Sequence, residues 1–305
     1  VAVRRARKAA LLCVLFLMVQ ACVEVVAAAG PQGCPTDCSC NNQLSKVVCT
    51  RRGLTRVPPG IPSTTRHLNL MENAIESVQV DSFRNLHHLE VLQLGRNAIR
   101  QIEVGSFRGL SSLKKLWIMN SQIGLIERNA FDDLASLVEL NLAHNNLSSL
   151  PHDLYTPLKY LVELHLHHNP WNCGCDSLWL ARWLREYIPT NSTCCGRCHS
   201  PAHMRGRQLV ELDRGDTGAM QCSAPFIADA PRDLNISAER VAELKCRTAA
   251  MSAVRWLLPN GTILTHASSH PRLTVLNDGT LNFSNVLAGD TGMYTCMVSN
   301  AAGNS

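Results

Sequence analysis

A repeat solenoid with a short parallel sheet, closed by cysteine caps and followed by a β-sandwich, is the fold class this sequence predicts. Three observations carry that expectation. Leu68-x-Leu70-x-x-Asn73 recurs as Leu92-x-Leu94-x-x-Asn97, Leu116-x-Ile118-x-x-Ser121, Leu140-x-Leu142-x-x-Asn145 and Leu164-x-Leu166-x-x-Asn169, each 24 residues after the last, and Phe83, Phe107, Phe131 and Tyr155 keep the same step. Cysteine clusters of four and six stand on either side of these repeats. Beyond them Cys246, Trp256 and Cys296, with Tyr294 two positions before the last cysteine, form the pattern of an immunoglobulin sandwich. The periodic pattern is that of the leucine-rich repeat, L-x-x-L-x-L-x-x-N-x-L at about 20–29 residues, and it predicts an α/β-type horseshoe.

The chain opens with a basic run (Arg4, Arg5, Arg7, Lys8), an apolar stretch over 11–20 and an Ala27-Ala28-Ala29 ending. That order reads as a secretory signal peptide over 1–29, with a signal anchor as the alternative. The apolar run is short for a span of about 20 residues, which favours cleavage. Removing it lowers the net charge from +5 to about +2, so the basic balance does not argue for a nucleic-acid partner. Of fourteen cysteines, Cys13 and Cys22 leave with the leader, and the remaining clusters of four, six and two are even. Even clusters in a secreted chain imply a disulfide framework. No later run of 18 apolar residues suggests a membrane span.

The expected modules are an N-terminal cysteine cap over 30–64, repeats over 65–169, a second cap over 170–222 and an immunoglobulin-like domain over 223–305 that lacks its final strand. A terminal repeat has one face without a neighbour, so each cap has an apolar edge to cover. Zinc is the rival reading of Cys34, Cys38, Cys40 and Cys49, and an oxidising compartment argues against it. In each repeat the leucines of the short strand point inward and the asparagine amide bonds the neighbouring backbone. Ser121, shorter than asparagine, predicts a local irregularity there.

The outward positions of the strands carry candidate partner-binding residues: His67, Asn69, Gln93, Lys115, Trp117, Met119, Asn141, His144, His165 and His167. Mixed charge around an exposed Trp117 and Met119 suits a protein-binding surface, against the alternative of a solvated face with one incidental aromatic. His144, His165, His167 and His168 lie on the last two strands. Zinc binding or a pH response is weighed against a solvated rim, and the rim is preferred because Glu163 is the one further ligand in view. Trp179 and Trp183, one helical turn apart, are expected to seal the last repeat.

Cys195-Gly196-Arg197-Cys198-His199 matches a haem-attachment or redox pattern, but neither context surrounds it. No catalytic triad, phosphate loop or metal signature is present in the sequence, so an enzyme, a cofactor and a small-molecule substrate are not expected. Sequons at Asn146, Asn191, Asn235, Asn260 and Asn282 are candidate glycosylation sites.

Cys38-Ser39-Cys40-Asn41-Asn42-Gln43-Leu44, Ile126-Glu127-Arg128-Asn129-Ala130-Phe131-Asp132, Leu140-Asn141-Leu142-Ala143-His144-Asn145-Asn146 and Cys194-Cys195-Gly196-Arg197-Cys198-His199 resemble the netrin-G ligand family, as do 178–185 and 256–262. That resemblance implies a glycosylated adhesion protein of the postsynaptic cell surface. Its repeats would bind a netrin-G on the opposing axon and promote excitatory synapses, and a longer form would reach synaptic scaffolds through its tail. A secreted matrix or decoy ectodomain is the alternative.

Caps of this kind in extracellular repeat proteins imply the pairs Cys34–Cys40, Cys38–Cys49, Cys173–Cys198 and Cys175–Cys222, leaving Cys194 and Cys195 as a vicinal bridge or differently paired. The sandwich pattern pairs Cys246 with Cys296. The family has more repeats, and the shortening falls near 104–113. Five strands about 4.8 Å apart carry roughly 340 Å² of face, against about 800 Å² per partner in a standard interface. Weak or lost netrin-G binding is therefore expected of this chain.

Overall fold

The computed structural model describes residues 33–152, 154–188, 195–218, 220, 222–248, 252–266, 268–300 and 303–304. The leader expected at 1–29, the Asn191 sequon and Cys194 lie outside the described residues.

Strands β1 (Ser39–Asn41) and β2 (Lys46–Val48) form a hairpin in the first cap. The repeats supply β3 (His67–Asn69), β4 (Val91–Gln93), the two-residue β5 (Gln101–Ile102), β6 (Lys115–Trp117), the two-residue β7 (Leu125–Ile126), β8 (Glu139–Asn141) and β9 (Glu163–His165). One sheet runs β1-β2-β3-β4-β6-β8-β9, parallel from β2 onward, while β5 and β7 pair on the return side. The cap hairpin thus extends the sheet to seven strands, two more than the five repeats supply.

Register follows the sequence period. Val47, Leu68, Leu92, Leu116, Leu140 and Leu164 stack as one inward column, and none is more than 2% exposed. Each such burial stabilises by about 1.5–3 kcal/mol before the entropy of ordering is subtracted. Behind the column Phe83, Phe107 and Phe131 form a buried spine with ring centroids 6.4 and 5.8 Å apart. Tyr155 keeps the step in sequence but leaves the spine, turning to Trp179 and Trp183 at 5.9 Å from each.

The asparagines form the expected ladder. Asn97 Nδ2 donates to Leu94 O and Leu70 O at 2.8 and 3.0 Å, and its Oδ1 accepts from Ile75 N at 3.0 Å. Asn145 and Asn169 repeat the pattern on Ile118 O and Leu142 O. At Ser121 the hydroxyl accepts from Asn97 N at 3.4 Å, too short a side chain to span to the carbonyls. The strand register on either side is unbroken, so the irregularity is one weakened rung rather than a distorted sheet.

Both caps continue the same core, which reaches from Val47 to Leu212. Leu54, Val57 and Ile61 close the first end, held by Cys34–Cys40 and Cys38–Cys49. At the other end β10 (Trp171–Asn172) pairs with β11 (Cys198–Ser200), beside helix α1 (Leu178–Tyr187) and the bridges Cys173–Cys198 and Cys175–Cys222. Apolar Leu178, Leu180, Ala181, Trp183 and Leu184 lie on the inward face of α1, while Trp179 is half-buried. Trp171 is buried and its Nε1 donates to Leu166 O at 2.9 Å. Gly196 lies so close to this indole that a Cβ would collide with it, which accounts for the glycine between the cysteines. Cys195 and Cys198 are both disulfide-bonded, so neither thiol of the C-x-x-C-H segment is available to haem or exchange.

The second core belongs to the sandwich: β12 (Ile227–Asp229), β13 (Ala242–Leu244), β14 (Arg247–Thr248), β15 (Ala253–Leu257), β16 (Ile263–Leu264), β17 (Leu273–Val275), β18 (Leu281–Phe283), β19 (Thr295–Asn300) and β20 (Gly303–Asn304). The sheet β13-β18-β17 faces β16-β15-β19-β20. Cys246–Cys296 joins them around a fully buried Trp256, whose Nε1 donates to Gly279 O at 2.8 Å. Tyr294 Oη donates to Asp290 O at 2.8 Å, the tyrosine corner. The returning strand expected to be missing has begun, since Gly303 and Asn304 pair with Asn300 and Ser299.

Candidate protein-binding face

The 24-residue step places the outward side chains of the sheet in columns. One runs Lys46, His67, Val91, Lys115, Glu139, Glu163; the next runs Val48, Asn69, Gln93, Trp117, Asn141, His165. Just past the strands come Met71, Gly95, Met119, Ala143 and His167, then Glu72, Arg96, Asn120, His144 and His168. All five of the last set have positive φ, between 54 and 58°. The chain turns there in every repeat, and non-glycine residues adopt that region sparingly. The predicted face residues therefore lie together on one surface. Gly95 leaves room between Met71 and Met119, where a Cβ would sit 2.9 Å from Met119 O.

At mid-face Trp117 and Met119 are half-buried rather than exposed. Trp117 Nε1 donates to Glu139 Oε1 at 2.6 Å, and Lys115 Nζ contacts Glu139 Oε2 at 2.6 Å. Glu139 is only 7% exposed, so one carboxylate beneath the face fixes both the indole and the ammonium. The hydrogen bond and charge of Glu139 push the Lys115 ammonium above its ordinary value. Glu139, which positions both side chains, was not among the face residues expected from the sequence. Its place in the same column as Lys115, one repeat on, was the available signal.

The two ends of the face differ in charge. Toward the first cap, Glu90 bridges Arg66 and Lys114 at 2.7 and 3.2 Å, and Glu72 bridges Arg51 and Arg96 at 2.7 and 3.8 Å. The Lys114 hydrogen bond leads in holding the Glu90 carboxyl below the usual range. These exposed pairs keep charges in register and contribute little stability. Toward the second cap the face is imidazole-rich. His165 Nε2 meets Glu163 at 2.9 Å, so Glu163 is engaged with His165 rather than with His167 and His168. Burial, then neighbouring His168, His144 and His165, holds His167 below the usual imidazole value.

The sequons Asn146, Asn235 and Asn260 are exposed and Asn282 is half-buried on β18. A cleft of about 940 Å³ lies away from the concave sheet, between α1 and the sandwich. Its walls mix Arg182, Arg185, Arg214 and Arg255 with Asp176, Glu186 and Asp213. Among the described residues no helix is long and apolar enough to cross a membrane.

These features define a class: a disulfide-capped leucine-rich-repeat solenoid carrying an immunoglobulin domain. Residues 63–123 and 111–170 match the leucine rich repeat family, and 225–305 match the immunoglobulin I-set domain. Mouse leucine-rich repeat-containing protein 4 is 54% identical over 429 aligned positions, covering 100% of this chain and 65% of that relative. The chain thus spans just under two thirds of that relative's length. Mouse leucine-rich repeat-containing protein 4B is 55% identical over 137 residues, 45% of this chain and 19% of the relative. The solution structure of the Ig-like domain of human leucine-rich repeat-containing protein 4 is 75% identical, covering 28% of this chain and 82% of that one, with a TM-score of 0.26. The 429 aligned positions of the mouse relative exceed this chain's 305 residues by 124, about five repeats of 24.

Proposed function

We propose that the protein is a non-enzymatic, glycosylated adhesion ectodomain of the cell surface that binds a netrin-G through its concave sheet. The observation that carries the concave-face reading is Trp117, held at mid-face by the buried Glu139 between half-buried Met119 and the paired Lys115. A pre-positioned indole loses little side-chain freedom on docking, and Trp is enriched among residues that dominate binding energy. The similarity to leucine-rich repeat-containing protein 4 supports an adhesion role, and the choice of netrin-G follows the sequence resemblance. A postsynaptic location and a role in excitatory synapse formation belong to the same reading, with synaptic scaffolds as partners of a longer, tailed form.

The sheet is larger than five repeats alone supply. Seven strands span about 29 Å and offer roughly 500 Å² of face, still below about 800 Å² per partner. Binding weaker than about 1 μM is therefore expected. Surface plasmon resonance of the expressed chain against a netrin-G ectodomain tests this, with Trp117→Ala weakening binding at least tenfold, to about 1.4 kcal/mol or more. Nanomolar affinity overturns the area argument. Binding indifferent to Trp117→Ala overturns the concave-face assignment, and no binding at millimolar concentration overturns the partner.

A further inference from the structure

The last two repeats bring three imidazoles together. His144 and His168 occupy equivalent positions one period apart, both with positive φ, 55 and 56°, so the strand spacing itself stacks them. Their ring centroids are 4.1 Å apart and the rings 10° from parallel. His167 stands edge-on to both, at 5.3 and 5.0 Å. One nitrogen from each of the three rings lies within 4.8 Å of the other two.

We infer that His144, His167 and His168 form a binding site for a divalent transition metal of the zinc class on the concave face. His167 Nδ1 and His168 Nδ1 are 2.8 Å apart, so one shared proton is all the pair can hold between them. A metal replaces that proton with a shared acid that accepts electron pairs from both nitrogens. Imidazole nitrogen suits zinc and copper far better than magnesium or calcium, which take oxygen. Zinc–nitrogen bonds of about 2.0–2.1 Å in a tetrahedron place ligand nitrogens roughly 3.3 Å apart, so the His167 and His168 nitrogens open slightly from 2.8 Å and any pair nearer the 4.8 Å limit closes. His144 and His168 are exposed and His167 half-buried, so ring rotation supplies that movement.

Three histidine ligands leave a fourth position for water or for a donor atom of a docked partner. The neighbouring trio Glu139, Glu163 and His165 also has converging donor atoms. Its Glu139 carboxylate is already engaged from outside the trio, by Trp117 and Lys115. The imidazole trio faces no such competitor among the contacts of the described residues. The sequence alone favours a solvated rim, and the convergence of the three ring nitrogens is what supports the ligand-set reading.

The test uses the whole secreted chain without a polyhistidine tag, stripped with chelator and titrated calorimetrically with Zn²⁺ and, separately, Mg²⁺. Zn²⁺ is expected to bind at one equivalent and Mg²⁺ not at all. His144→Asn and His168→Asn keep a residue suited to the left-handed backbone, and each is expected to weaken Zn²⁺ binding about tenfold or more. His203→Asn, in the second cap and away from the face, is the control and leaves affinity within about twofold. Unchanged thermal melts of the apo variants separate ligand loss from misfolding. Absent Zn²⁺ uptake by the wild-type chain, or equal affinity in the His144→Asn/His168→Asn double variant, overturns the site.

Discussion

The solenoid and the sandwich are both built of short strands around buried aromatics, yet they close in opposite ways. In the solenoid each core residue meets its equivalent 24 residues away, as Leu92 meets Leu116 and Phe83 meets Phe107. In the sandwich the closing contacts are singular: Cys246 reaches Cys296, 50 residues on, and Trp256 donates to Gly279 O, 23 residues on. A repeat array is approximately a sum of like units and their nearest-neighbour interfaces. Whole periods could be removed from such an array and the cut ends would still fit, because every interface is alike. The sandwich has no interchangeable unit, so its core depends on each named contact.

The largest test of that contrast is Trp256→Ala. Removing a fully buried tryptophan is expected to destabilise the sandwich by about 3–5 kcal/mol, leaving the solenoid transition in place. Hydrogen exchange resolved by peptide checks this, with protection lost over 225–300 and kept at Leu92 and Leu116. Equal loss in both regions would show that the two cores unfold as one and would break the comparison.

A smaller effect sharpens it from the repeat side. Ser121→Asn restores the rung that its neighbours have, bonding carbonyls equivalent to those met by Asn97 and Asn145. A gain of about 1 kcal/mol in solenoid stability is expected from chemical denaturation. A loss would mean that neighbouring repeats have repacked around serine and are not interchangeable.

The smallest effect is acid sensitivity. Arg272 hydrogen-bonds both oxygens of Asp290, at 2.7 and 2.9 Å, and this holds the Asp290 carboxyl below the usual range. A carboxyl whose folded pKa is depressed adds stability above its unfolded value, about 3.9, and loses it as pH falls through the folded value. Sandwich stability should therefore drop below about pH 4 in the wild type and drop less steeply in Asp290→Asn. Burial instead pushes Asp132, in the repeats, above the ordinary value, so protonation there relieves a penalty. Equal acid slopes in the wild type and Asp290→Asn would show that the Arg272 pair carries none of this sensitivity.

Much of the candidate face was legible because a strand alternates its side chains. Once Leu116 is inward, Lys115 and Trp117 are outward, whatever else the chain does. Reading Trp117 as a free, exposed anchor went astray because the sequence does not say that Glu139 turns beneath it. Tyr155 shares the phenylalanine step but faces the tryptophans of α1, since the last repeat packs against a cap rather than another repeat. The β1–β2 hairpin joined the sheet without any leucine pattern of its own, because an open sheet edge offers unpaired backbone groups to whatever lies beside it.

The period, the inward columns, the asparagine ladder and the sandwich pattern were determined by sequence alone, because local geometry repeats wherever the local pattern repeats. Tertiary structure alone decided which outward side chains touch. Glu139 under Trp117, and His168 stacked on His144, depend on strand spacing, backbone turn and ring rotation together. Those contacts join residues 22 and 24 apart across neighbouring strands, and their geometry exists only once the strands are laid side by side.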